Sequence, residues 1–203
     1  MSVLTPNDFL PQNDFLKQRQ TIFDNIKVIK KARRIPLGPD ITFYFENKET
    51  IQWQIQEMLR IEKGGHEQIQ DEIDAYGELI PQKGRYADKH ISCTMMIEED
   101  DAIRRKVLLQ ELSNIELSIF LHIGNVVVQA QDIQDGIERT NSQGKTSAIH
   151  FLRFTLKDSA IDLLENPSSS IELISKHPRY SYQHLLSSNQ KNALLQDLNS
   201  IQE

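Results

Sequence analysis

The 203-residue chain lacks most of the features that disclose a function. It has one cysteine, Cys93, so no disulfide can close within the chain and no thiolate metal cluster can form. Such sparing use of cysteine fits a reducing compartment, and a cytoplasmic location is expected. No apolar run approaches the ~20 residues that span a bilayer. The N-terminus, MSVLTPNDFLPQ, has neither the basic nor the apolar region of a signal peptide. Glycine is sparse and forms no phosphate-cradling loop. Gly144-Lys145-Thr146-Ser147 imitates the end of one, but Arg139 stands where the first glycine is required, and a strand follows instead of a helix. Six histidines are scattered without i, i+3 or i, i+4 pairs, and no HExxH occurs, so no metal site is read from the pattern. No complete catalytic, metal or nucleotide motif is present.

What the chain does have is an uneven distribution of charge. The net charge is −6, yet residues 1–34 hold seven Lys and Arg against three Asp and Glu, leaving −10 for the remainder. The cations gather at Lys27, Lys30, Lys31, Arg33 and Arg34. Such a cluster can meet an acidic partner or an anion, or can simply complement the dipole at a helix C-terminus. No aromatic residues interleave with it, and the acidic remainder would repel a polyanion, which argues against nucleic acid.

Periodicity gives the elements. Thr5-Pro6 is a helix start. A longer helix is expected from Pro11 to about Ala32, with Phe15, Ile22, Phe23, Ile26 and Ile29 as its apolar face, and Pro36, Gly38 and Pro39 turn the chain. Ile41–Glu46 reads as a strand. Thr50–Glu62, TIQWQIQEMLRIE, is the best-patterned helix, with Ile51, Ile55, Met58 and Leu59 along one face. Trp53, Glu57 and Arg60 form a column on the other side. A tryptophan there implies a second covered face. Gly64–Gly65 is expected to stop this helix in a left-handed cap. A further helix follows over His66–Tyr76, placing Glu72 and Tyr76 near the first.

Beyond a polar loop over Pro81–Lys89, His90–Glu98 alternates as a strand, and a helix starts after Asp101. A hairpin is expected over Glu116–Gln131 about Gly124–Asn125, pairing Ile123 with Val126, Leu121 with Val128 and Ile119 with Ala130. Asp132–Lys145 reads as polar and either irregular or briefly helical. Thr146–Leu156 is a strand with two largely apolar faces, one carrying His150, the other Arg153. A helix over Asp158–Glu165, a hairpin from Ser170–Ser175 to Tyr180–Leu186 and a helix from about Ser188 complete the chain. The order implies an α+β fold: N-terminal helices packed on a mainly antiparallel sheet, with short helices between strands. One domain over residues 1–203 is expected, residues 1–34 being a basic helical arm.

Certain residues carry possible chemistry. Glu57, Glu62, Glu72 and His150 are candidates for acid–base work, and Arg33, Arg34, Arg60, Arg153 and Tyr76 for holding an anionic ligand. Lys30, Lys31 and Trp53 are candidates for partner contact. Against this stand an ordinary Glu57–Arg60 pair within one helix and a hydrogen-bonded core histidine at position 150. Arg153, among Ile149 and Phe151, needs a carboxylate, and a helical glutamate is expected to supply it. Cys93 lies on the apolar side of its strand and reads as an inert core thiol.

The wording of several segments is familiar. KKARRIPLGP, a strand ending FE, TIQWQIQEMLRIE, Glu72 with Tyr76 and LIP, KTSAIHFLRF and HPRY at His177–Tyr180 occur in this order in a bacterial family that the chain resembles, domain of unknown function 3501. The likeness spans nearly the whole chain. Its motif positions fall here on Lys31, Arg33, Arg34, Gln54, Gln56, Glu57, Arg60, Glu62, Glu72, Tyr76, Ser147, His150, Arg153 and His177. The joint at Gly64–His66 is shorter than the family's. The family has no established activity. Its members are often encoded beside rubrerythrin-like di-iron proteins and iron–sulfur proteins resembling heterodisulfide reductase subunits. The resemblance therefore implies an accessory protein of a redox or oxidative-stress module, with iron-containing redox proteins as partners. A small enzyme or anionic-ligand binder with a Glu/Arg/His pocket is the alternative, and a carboxylate/histidine metal site a third. No cofactor is assigned.

Overall fold

The computed structural model describes residues 4–63, 66–81, 89–133 and 138–200. Among these residues, six α-helices and nine strands follow one another in chain order. They are α1 (Gln12–Lys31), β1 (Arg34–Leu37), β2 (Ile41–Phe45), α2 (Lys48–Glu62), α3 (His66–Tyr76), β3 (Lys89–Ile97), α4 (Ala102–Glu111), β4 (Ile119–Ile123), β5 (Val126–Gln129), β6 (Gln131–Asp132), β7 (Ile149–Leu156), α5 (Asp158–Glu165), β8 (Ile171–His177), β9 (Tyr180–Leu185) and α6 (Ser188–Asn199). The class is α+β, with every strand pair antiparallel.

The expected single sheet is two: a five-stranded sheet in the order β1-β2-β3-β7-β6 and a four-stranded sheet in the order β5-β4-β8-β9. Alternation explains the split. Ile91, Cys93, Met95 and Ile97 of β3 face the same core as Ile119, Leu121 and Ile123 of β4 and Leu173 of β8. Two half-apolar sheets bury those faces together, with Leu109, Leu164, Leu194 and Leu198 from three helices filling the rim. The β4–β5 turn sits at Gly124, whose φ of +55° suits glycine. Ile123 faces Val126 and Leu121 faces Val128, and the Ala130 N–H donates to the Ile119 carbonyl at 2.9 Å.

The N-terminal helices cover the other face of the five-stranded sheet. Ile51 and Ile55 of α2 pack with Ile73, Leu79, Ile80 and the N-terminal Leu4 and Phe9, and Phe151 of β7 joins them from the sheet. On its opposite side α2 presents Trp53 to α1, where Phe15 and Phe23 lie 5.8 and 5.6 Å away, centroid to centroid. Both flanks of α2 are thus covered. The left-handed residue that ends α2 is Lys63, with φ of +55°; the cap expected at Gly64–Gly65 lies outside the described residues, as does most of the Pro81–Lys89 loop.

Strand β1 is not apparent in the sequence, where Pro36 and Gly38 read as a turn. It is the edge of its sheet, and an edge tolerates a proline that cannot donate. Its hairpin with β2 is tied to the second sheet by Tyr180. The Tyr180 hydroxyl accepts from the Asp40 and Ile41 amides at 2.9 and 3.0 Å and donates to the Leu37 carbonyl at 2.7 Å. Gly38 makes room for this: its φ is +71°, and a methyl group there would lie 2.7 Å from the Tyr180 oxygen.

Candidate functional site: a basic hollow beside a closed polar interior

Positions 23, 26, 27, 30 and 31 of α1 recur at i, i+3, i+4, i+7 and i+8 and so share one face of the helix. That face, with Trp53 of α2 and Arg34, Pro36 and Tyr44 of the β1–β2 hairpin, encloses a hollow of about 520 Å³. Lys27, Lys30, Lys31 and Arg34 supply the charge; Phe23, Tyr44 and Trp53 supply aromatic surface. The Lys27 ammonium sits 4.5 Å from the Phe23 centroid, and the Arg34 guanidinium 5.8 Å from that of Tyr44, its cross-strand neighbour. Arg34 reaches Glu98 at 3.6 Å, and Lys27 reaches Asp24 only at 4.0 Å. Among the described residues no carboxylate lies within ion-pair distance of Lys30 or Lys31. The hollow therefore gathers Lys30, Lys31, Trp53 and Arg34. Its aromatic members come from three elements, which is why no interleaving was visible in the chain.

Arg33 goes elsewhere. Its side chain turns inward and meets Asp197 of α6 in a two-pronged pair of 3.0 and 2.6 Å. The same carboxylate accepts from the Asn47 side chain at 3.2 Å. Asn47 caps α2 by accepting from the Thr50 amide, and the Thr50 hydroxyl in turn meets Glu46 at 2.6 Å. Glu46 also accepts from Thr94 of β3 at 2.9 Å. Burial raises the pKa of both Asp197 and Glu46, opposed by these bonds. This network joins the end of α1, the start of α2, β3 and α6.

The acid–base candidates do not form one site: Glu62 and Glu72 meet at Gln68 near Tyr76, while Glu57 and His150 have other partners. Glu57 is held from α1 by Arg19, at 2.7 and 2.9 Å, and by Arg60 at 3.0 Å; the Arg19 bonds are the main cause of its lowered pKa. Glu62 is exposed and accepts from Gln68 at 2.6 Å, and Gln68 reaches Glu72 at 3.4 Å. Burial, then the nearby Glu72 and Glu62, raise the pKa of Tyr76, whose ring meets Phe151 edge-on. Arg153 pairs at 3.1 Å with Glu78 of the 3-10 helix Gly77–Leu79 that follows α3, a glutamate other than the candidates Glu57, Glu62 and Glu72. Gln56 is spent on the N-terminal segment: it accepts from the Leu10 amide at 2.8 Å and donates to the Leu10 carbonyl at 3.1 Å.

His150 has a different acidic neighbour, one that the sequence did not single out. Its Nε2 lies 2.9 Å from the Ser147 carbonyl, which can only accept, so that nitrogen carries the proton. Nδ1 then faces the Glu116 carboxyl at 3.6 Å, and neither atom has another partner. His150 is 0% and Glu116 8% exposed. Burial lowers the pKa of His150 to about 4 and raises that of Glu116, with Asp132, Arg139 and His177 around the carboxyl. Burial and the facing Nδ1 lone pair both favour the protonated form of the Glu116 carboxyl. His177 is itself buried, its Nε2 3.2 Å from the Ser113 carbonyl. Among the described residues no group of three or more His, Cys, Asp and Glu forms a metal site, and no helix is long and apolar enough to cross a membrane.

No curated protein matches the chain. A crystal structure of a novel protein of unknown function from Burkholderia pseudomallei K96243 is similar, with a TM-score of 0.86 and 31% identity over 98% of this chain and 100% of that one. The model of the family described as protein of unknown function (DUF3501) matches residues 3–198, and the chain therefore belongs to that family.

Proposed function

We propose that this protein is an accessory partner of a bacterial redox or oxidative-stress module, acting in the cytoplasm, and that its basic hollow receives an acidic segment of an iron-containing partner. The carrying observation is the hollow itself. Four cations surround three aromatic residues on a chain whose remainder is acidic. Opposed charge steers encounter and fixes orientation, while aromatic and arginine side chains are the usual anchors of a docking surface. The redox setting rests on the family resemblance. The candidate side chains of α2 and α3 form two groups, Glu57 with Arg19 and Arg60, and Glu62 with Glu72 at Gln68, rather than one pocket, which favours docking over catalysis.

The test is a titration of the purified rubrerythrin-like and iron–sulfur neighbours with this protein. Binding is expected to weaken steeply with salt and about tenfold or more in Lys30→Glu/Lys31→Glu. Binding to neither protein, or binding indifferent to salt and charge reversal, overturns the proposal.

Glu116 and His150 support a second reading, a small enzyme with an acid–base pair. A facing acid and base of shifted pKa are what such a site needs. Exchange of the His150 Nε2 proton with solvent decides it. Fast exchange favours an accessible site; slow exchange marks a structural pair.

A further inference from the structure

The basic hollow adjoins an apolar one at Trp53. Ile26 and Trp53 also line a second concavity of about 310 Å³, between α1 and α2, so the two share a wall. Its other apolar walls are Leu10, Phe15, Ile22 and Ile29. Of its polar lining, Gln56 is bonded twice to the Leu10 backbone and the Gln52 amide donates to the Asp8 carbonyl, while the other two, Asn25 and Glu49, are exposed. The groove's lining is therefore mainly apolar with one carboxylate, Glu49, which turns an anionic head away from this end. One end is greasy, the other carries Lys27, Lys30, Lys31 and Arg34, and the size suits a small ligand, since such sites run from about 300 to 1,000 Å³.

We infer that these two adjoining concavities together bind an amphipathic organic anion, a medium-length alkyl chain with a carboxylate or phosphate head. The chain lies along Phe15, Ile22, Ile26 and Ile29. It passes Trp53, and the head rests among Lys30, Lys31 and Arg34. Charge complementarity selects this occupant. A neutral chain would leave the cations unused, and a bare anion would leave the groove empty. The inference goes beyond partner docking, because a small molecule fills the apolar half; since both draw on the same cations, ligand and acidic partner would compete.

Trp53 is the chain's one tryptophan, so its fluorescence reports directly on the shared wall. The experiment titrates the full chain with octanoate, decanoate, dodecanoate and dodecyl phosphate below micelle formation. Acetate, inorganic phosphate, AMP and dodecyltrimethylammonium are the comparison arms. The expected result is a saturable change in Trp53 emission, with affinity rising about threefold or more per added methylene. The carboxylate and phosphate arms distinguish the two head groups. Ile22→Gln should weaken dodecanoate without altering salt-dependent partner binding. Lys30→Glu/Lys31→Glu should weaken both about tenfold or more, with circular dichroism unchanged. Acetate or phosphate binding as tightly as dodecanoate overturns the inference while leaving the docking proposal intact. An equal response to the cationic detergent, a tighter response to AMP, or no response to any chain also overturns it. Self-association that changes Trp53 emission without added anion would show instead that a second copy covers the groove.

Discussion

Arg33 and Arg34 are consecutive in the chain and are used in opposite ways. Arg33, 7% exposed, is locked by two bonds to Asp197, itself 5% exposed, and through it to Asn47. Arg34, whose side chain is 58% exposed, reaches Glu98 loosely at 3.6 Å and lines a hollow with three lysines. The backbone makes the difference. Arg33 follows α1, and Arg34 opens β1, where successive side chains point to opposite faces. In the sequence the two look alike. In the fold, one sits in a closed network that holds four elements together, and the other belongs to an open face that leaves its charge available.

The contrast breaks most severely at Arg33. Arg33→Ala leaves Asp197 buried, charged and short of its main donors, and should cost about 3–5 kcal/mol in urea unfolding. Replacing both Arg33 and Asp197 with apolar residues of similar volume should recover most of that loss, because the pair's desolvation cost disappears with it. A single-mutant loss below about 1 kcal/mol would mean that the pair is not sealed.

Two histidines sharpen the comparison by pH. Burial, and then the charge of Arg153, lower His90 to about 4. The unfolded chain therefore takes up this proton first as pH falls. His90's contribution is fully present above about pH 6.5 and is lost as pH drops towards 4, amounting to about 3 kcal/mol. His150 is also lowered to about 4, but Glu116 beside it is raised, and the two shifts act with opposite sign on proton uptake. The two shifts therefore partly offset each other over that window. Between pH 7 and 4.5, then, His90→Leu should flatten the acid loss of stability more than His150→Gln does.

A smaller effect is expected at the hairpin that carries Arg34. Tyr180→Phe removes an oxygen that accepts from two amides and donates to one carbonyl. Leaving such groups unsatisfied should cost about 2–3 kcal/mol, and hydrogen exchange at Asp40 and Ile41 should quicken. If exchange there is unchanged, the hairpin does not depend on that hydroxyl.

Local pattern was legible; distant partners were not. Helix α3 falls on the expected residues His66–Tyr76, and the β4–β5 register follows from agreement between turn chemistry and apolar alternation. The covering of Trp53 was readable because a tryptophan on a second helix face needs a neighbour. Strand β1 was hidden by Pro36, which marks a turn unless the strand is an edge. The partners of Arg33 and His150 come from far along the chain or from a short turn, and periodicity says nothing about which side chains meet across a fold. Glu116 lies in the turn Ile115–Ser118 just before β4, where only three-dimensional proximity to β7 gives it a role. The basic cluster was readable as charge. That Tyr44 and Trp53 complete it follows from packing of β2 and α2 against α1.

The smallest stability effect belongs to the open face, and it decides whether the face is kept for binding. Arg34→Ala removes a loose ion pair on an exposed strand edge, and such pairs contribute about 0–1 kcal/mol. Lys30→Glu/Lys31→Glu removes no ion pair among the described residues; its cost arises from α1, where acidic side chains near a helix C-terminus oppose the dipole by some tenths of a kcal/mol, and from loss of the favourable charge of Lys30 near the buried Glu46 carboxyl. Thermal unfolding should therefore shift by only a few degrees at most for either variant, while binding of an acidic partner falls about tenfold or more for the double reversal. That separation is what a docking surface requires and a structural cation cluster cannot show. If the double reversal instead destabilises the protein as much as Arg33→Ala, the lysines belong with Arg33 to the interior network, and the division between the two neighbouring arginines is not one between structure and binding.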